Sequence, residues 1–178
     1  MRADRFARYE ATLQHLFKKS RLRALKCNAG ANFASNDYLA LASSPEMQAA
    51  LSAAIERGVP VGAGGSRLLR GNHEEHEALE MEAAAFFGCQ RMLYFSSGYA
   101  ANYAVLSTLP QRGDLIVYDC LIHASAYSGM RASRAKIASV HHNDLQAVED
   151  TIREWRSKGG AGVPWIVVES LYSMDGDR

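Results

Sequence analysis

A three-layer α/β fold, with a mostly parallel sheet covered by helices on both faces, is what this sequence predicts. Short apolar runs at Met92 to Phe95, Leu115 to Asp119, Lys136 to Val140 and Pro164 to Glu169 alternate with segments of helical periodicity. Such alternation implies parallel strands joined by crossover helices. The stretch from Met92 onward reads as strand, small-residue turn, helix and strand in immediate succession. At 178 residues the chain suits one domain, or most of one, with room for a real core.

The elements follow in order. Arg5 to Lys19 is an amphipathic helix with Phe6, Tyr9, Leu13, Leu16 and Phe17 on one side. A basic, less regular segment follows from Lys18 to Lys26, and Asn28 to Ser44 is turn-rich. Pro45 then opens a helix over Glu46 to Arg57. After the glycine-dense loop Gly58 to Gly71, Asn72 with Glu75 three residues on has capping-box spacing for a helix reaching Phe87, and Gly88 stops it. Ser96, Ser97 and Gly98 turn the chain into the helix Tyr99 to Leu109, and the strand Leu115 to Asp119 ends in a polar loop holding His123. Asn143 or Asp144 caps a helix to about Lys158, which Gly159 and Gly160 terminate. Residues 1–45 are thus expected to form an N-terminal helix and extended segment, and 46–178 the first part of a large domain. That domain is expected to be incomplete: Ser173 to Arg178 is a loop where a doubly wound fold should continue, leaving an unpaired sheet edge.

Hydrophobic content of 48% and charged content of 22% are ordinary for a globular protein, and the net charge of +1 gives no reason to expect nucleic acid or an acidic membrane as partner. No apolar run approaches the roughly 20 residues that span a bilayer. Cys27, Cys89 and Cys120 are odd in number and unpaired in spacing. They read as half-buried thiols in a reducing, cytoplasmic setting.

The candidate chemistry lies between Met92 and Ser125. A helix N-terminus has unpaired N–H groups and partial positive charge, so the Ser96-Ser97-Gly98 turn favours an anion. Gly98 permits close approach and the serine hydroxyls add donors. A plain structural turn is the competing reading. Ser97 is no hydrolase nucleophile, because Phe95 and Tyr99 stand where a nucleophile elbow needs glycine. His123 follows a sheet strand, at the edge where open α/β sheets bind ligands; a hydrogen-bonded structural histidine is the alternative. The loop Gly62 to Arg67 lacks both the dinucleotide fingerprint and the Gly-Lys-Ser/Thr of a P-loop, so it reads as a connector. His73-Glu74-Glu75-His76 has its histidines three apart, not four, and reads as a solvated first helical turn. His141 and His142 are expected to face solvent.

Six ordered blocks carry a resemblance. They are Asn32 to Leu39 (NFASNDYL), Gly62 to Glu80 (GAGGSRLLRGNHEEHEALE), Ser96 to Asn102 (SSGYAAN), His123 to Ser125 (HAS), His142 to Asp144 (HND) and Glu169 to Asp177 (ESLYSMDGD). In these the chain resembles the α-oxoamine synthase family, and within it the biotin-synthesis branch. The resemblance implies the large domain of a pyridoxal 5'-phosphate-dependent transferase of the aspartate-aminotransferase fold, truncated and preceded by an N-terminal helical segment. It implies a homodimer joining L-alanine to a pimeloyl thioester, carried by coenzyme A or acyl carrier protein, with decarboxylation. Position by position, it implies that Gly98 and Tyr99 bind the cofactor near its phosphate and that His123 stacks on the pyridine ring and serves substrate and catalysis. It further implies that Ser173 contacts the cofactor and that Arg23 meets the acyl thioester. Two positions depart from the family pattern: Ala40 stands where glycine is usual, and Arg70 where a small hydroxyl residue is common. The family's cofactor-anchoring lysine is expected beyond Arg178. Another α-oxoamine synthase, or a non-catalytic partner subunit lacking that lysine, are the alternatives.

Overall fold

The computed structural model describes residues 6–25, 27 and 29–178; Arg5, Lys26 and Asn28, which bounded three of the expected segments, lie outside them. The chain divides into two compact units, Met1–Gly64 and Gly65–Arg178. In the first, α1 (Ala7–Lys18) keeps Phe6, Tyr9 and Leu13 about half exposed, so described residues do not cover its apolar stripe. Asn32 Oδ1 accepts from the amides of Ala34 and Ser35, and Asp37 accepts from those of Leu41 and Ala42 at 2.8 and 3.1 Å. These turns lead into a short 3-10 turn, Leu41–Ser43, and then α2 (Pro45–Glu56). Ser44 Oγ caps α2 by accepting from Met47 N–H, with proline in the first turn. Ala40 adopts φ +53°, ψ +35°, a left-handed conformation that crowds its Cβ against the backbone. The glycine usual at this position in the resembled family therefore has a conformational reason.

The second unit holds α3 (Glu74–Phe87), α4 (Gly98–Thr108), β1 (Leu115–Asp119), α5 (Ala124–Ala132), β2 (Lys136–Val140), α6 (Leu145–Ser157) and β3 (Pro164–Val167). The three strands form a parallel sheet in the order β2-β1-β3. Side chains alternate along a strand, and β1 uses both of its faces. Ile116 packs with Leu106, Ala126 and Met130, hence against α4 and α5. Leu115 and Val117 pack with Val140 and with Ala147, Val148 and Ile152 of α6. Helices on both sides of β1 make the three layers the sequence predicts. Asp114 fastens the start of this sheet by accepting from Gln111 N–H, Val163 N–H and Trp165 Nε1–H.

Several expectations need correction. Met92 to Phe95 forms no strand and joins no ladder among the described residues; the Tyr94 amide instead donates to Glu80 Oε1 at 2.8 Å. The cap of α3 is His73, not Asn72: His73 Nδ1 accepts from Glu75 N–H, while Asn72 accepts from Arg67 Nε–H and donates to Glu77. The glycine loop is no plain connector at its end. Residues Arg67–Gly71 form one π-helical turn in which the Leu69, Arg70 and Gly71 amides converge on Ser66 O. Arg67 then grips Glu80 through both terminal nitrogens, at 2.5 and 3.1 Å. The segment after His123 is a helix, α5, rather than a loop. All three cysteines are exposed, not half-buried.

Candidate active site

The direction of the chain reverses around β1. α5 carries it from β1 to β2 on one side, and α6 returns it across β1 to β3 on the other. Such a switch opens a crevice beyond the carboxyl ends of the strands. His123 lies there as the N-cap of α5, and its backbone amide donates to Glu169 Oε1, just past β3.

The His123 ring is oriented by its own helix. Nδ1 accepts from the Ser125 amide at 3.2 Å and lies 2.7 Å from Ser125 Oγ. The fully buried Ser125 hydroxyl in turn accepts from Asn102 Nδ2 at 3.0 Å. With the backbone N–H directed at Nδ1, this network assigns the neutral ring its proton on Nε2.

Asn102 belongs to α4, whose first turn holds Gly98 and Tyr99. Ser97 caps that helix, its Oγ accepting from Ala100 N–H at 3.1 Å. The cap leaves the Gly98 and Tyr99 amides as orphan donors of the first turn, and the hydroxyl proton of Ser97 remains free to donate. A Cβ built on Gly98 would meet nothing within 4 Å, so the turn faces open space. The Tyr99 hydroxyl donates to Ser128 Oγ of α5 at 2.9 Å. The two helices approach closely because α5 offers Gly129 to α4: a Cβ there would come within 2.9 Å of Tyr103 O. The structure thus ties Gly98, Tyr99 and His123 to one pair of packed helices.

Ser173 is exposed in a turn that begins after β3, closed by Gly176 N–H on Tyr172 O and by Tyr172 N–H on Asp177 O. Arg23 is exposed in the first unit, apart in sequence and folding unit from the other four.

The solvent expectation for His142 is wrong. Its side chain is 23% exposed and bridges two carboxylates, with Nδ1 2.9 Å from Asp119 Oδ2 and Nε2 2.8 Å from Asp177 Oδ2. Both carboxylates raise its pKa, Asp177 foremost. Asp119, at the end of β1, is buried, which alone would raise its pKa. The Leu121 and Asn143 amides together with His142 outweigh burial and hold it low. The Tyr172 ring stands edge-on to the imidazole at 4.5 Å. No short-range sequence rule couples these positions, although HND and the Glu169 to Asp177 block are both visible as motifs.

This chain belongs to the class I and II aminotransferase family, whose model matches residues 29–178. Within that class it is similar to 8-amino-7-oxononanoate synthases. The one from Geotalea daltonii is 46% identical over 143 residues, covering 80% of this chain and 36% of the relative. That from Geobacter sulfurreducens is 39% identical, covering 93% and 44%. Among solved structures, a lysine-to-alanine variant of a serine palmitoyltransferase from S. paucimobilis with a bound PLP–myriocin aldimine matches at a TM-score of 0.77 and 26% identity, over 99% of this chain and 47% of that one. An 8-amino-7-oxononanoate synthase from Francisella tularensis matches at 0.63 and 30%, over 82% and 38%. The chain spans about two fifths of the length of the curated relatives it matches.

Proposed function

We propose that this chain supplies the cofactor-holding edge of a pyridoxal 5'-phosphate-dependent acyltransferase of the 8-amino-7-oxononanoate synthase type. The reaction joins L-alanine to a pimeloyl thioester, of coenzyme A or acyl carrier protein, with loss of carbon dioxide. The observation that carries this reading is the packing of α4 on α5, which couples an open, anion-favouring helix N-terminus to an oriented imidazole.

The residues present fit the cofactor. The Gly98 and Tyr99 amides and the Ser97 hydroxyl point to a phosphate at the start of α4, where Gly98 leaves open space. When bound, the cofactor supplies an electron sink for charge developing at the amino-acid α-carbon. His123 restrains the cofactor ring and presents an Nε2 proton; Ser125 and Asn102 keep that imidazole from turning. Ser173 adds a contact from the turn after β3, and Arg23 takes the acyl thioester. Lys136 and Lys158 line a cavity with Arg112 and Gly113 at the other end of the sheet, where the strands begin. These two lysines therefore lie away from the carboxyl ends of the strands, and the working enzyme is proposed to be a cytoplasmic homodimer.

The 39–46% identity of curated 8-amino-7-oxononanoate synthases favours the alanine and pimeloyl pair. The test is a turnover assay of a polypeptide of the relatives' length with alanine, glycine or serine and pimeloyl or palmitoyl thioesters. Preferred use of alanine with the pimeloyl thioester is expected. A preference for serine and palmitoyl thioester would transfer the chain to the other branch. Residues 1–178 alone are expected to give no turnover.

A further inference from the structure

We infer that His142 is a positioning residue: as an imidazolium held between Asp119 and Asp177, it latches the turn that carries Ser173 to the carboxyl end of β1. The geometry points to the doubly protonated ring. Both ring nitrogens lie 2.8–3.0 Å from carboxylate oxygens, and carboxylates only accept. A neutral imidazole has one N–H and serves one of them.

The two carboxylates are unequal partners. Asp119 is 4% exposed in its side chain and is fixed by the amides of Leu121 and Asn143. Asp177 is 45% exposed, and its other hydrogen bonds among the described residues are from the Asn143 side chain at 3.4 Å and from the Tyr172 amide to its backbone oxygen. Loss of the second proton therefore releases Asp177, not Asp119. Asp177 closes the 172–177 turn, so releasing it loosens the backbone that presents Ser173. The charged and titratable groups around the ring are Asp119 from β1, Glu169, Tyr172, Asp177 and Arg178 from the segment after β3, and His141 and Asp144 on its own loop. The two carboxylates in direct contact both favour the cation, and the upward pKa direction agrees. Asp177 Oδ1 is buried without a hydrogen-bond partner, so the carboxylate is held at its other oxygen, by the latch.

The consequence for Ser173 rests on the cofactor reading above; the latch does not. The test uses isotope-labelled protein without cofactor, so that a failure of cofactor binding leaves its result standing. The protonation of His142 is followed by ring-nitrogen NMR, and exchange of the Tyr172 and Gly176 amides is followed across the same pH range. Two ring protons are expected at pH 6, below the ordinary histidine value. After correction for base catalysis, exchange at both amides should rise about tenfold as the second proton leaves. Asp177→Asn should lower the proton affinity of His142 by about tenfold and show fast exchange at every pH. A singly protonated His142 at pH 6, or exchange indifferent to its titration, overturns the latch. The wild-type titration decides alone if the variant does not fold.

Discussion

Ser97 serves its own helix and the space in front of it with one hydroxyl. Its oxygen accepts from the Ala100 amide while its proton stays available to a ligand. Ser97→Ala is therefore expected to lower stability by about 1 kcal/mol, the usual cost of a lost N-cap, measurable by urea unfolding. It should also weaken cofactor binding, which loss of the cap alone does not require. Ala40 makes the opposite case. Ala40→Gly relieves a left-handed alanine, and should leave the first unit more stable by up to about 1 kcal/mol after the added chain entropy. Pro45, Gly88 and Asp144 were legible in the sequence, since each serves a helix end by rules of a few residues' range, although the same kind of rule put the cap of α3 one residue early, at Asn72. His142 was not, because its partners lie 23 and 35 positions away and only the sheet brings them together.

The strands of the sheet were visible as apolar runs because β1 is buried on both faces and β2 and β3 flank it. Met92 to Phe95 has the same composition but joins no ladder among the described residues, and composition alone does not report pairing. Helix α5 escaped notice for a related reason. Its nine residues, ASAYSGMRA, are rich in small and polar types, and its buried side is drawn from Ser125, Ala126, Gly129 and Met130. Gly129 reads as a helix breaker until α4 is seen lying against it. Met130→Ala is expected to cost about 2–5 kcal/mol, since its side chain is 1% exposed in the core between α5 and β1. In the π-turn, a Cβ on Gly71 would stand 1.9 Å from Gly65 O, backbone that cannot yield cheaply. Gly71→Ala should destabilise the second unit by about 1–3 kcal/mol, read as a lower denaturation midpoint.

Across the second unit, two ion pairs oppose each other in their pH dependence. The Arg67 guanidinium, with the Tyr94 amide, holds the Glu80 carboxyl down at about 2, against its ordinary 4.5. Stability from that pair is complete above the ordinary value and is lost as pH falls through about 2. His142 has the contrary sign: its raised pKa means that its contribution is complete below the ordinary histidine value and is lost as pH rises through the raised one. Thermal unfolding followed over pH should show both losses, and Glu80→Gln should remove only the acid one. Placement of the candidate site at the carboxyl ends of the strands follows from the alternation of strands and helices, which was legible. The coupling of α4 to α5 through Tyr99, Asn102, Ser125 and Ser128 was not, because it needs the two helices packed. The central proposal is that the first turn of α4 holds a phosphate while His123 restrains the attached ring. A crystal structure of a polypeptide of the relatives' length with pyridoxal 5'-phosphate tests it most directly. The expected result places phosphate oxygens about 3 Å from the Gly98 and Tyr99 amides with the His123 imidazole against the ring; a cofactor bound with its phosphate away from that turn, or its ring out of reach of His123, contradicts it.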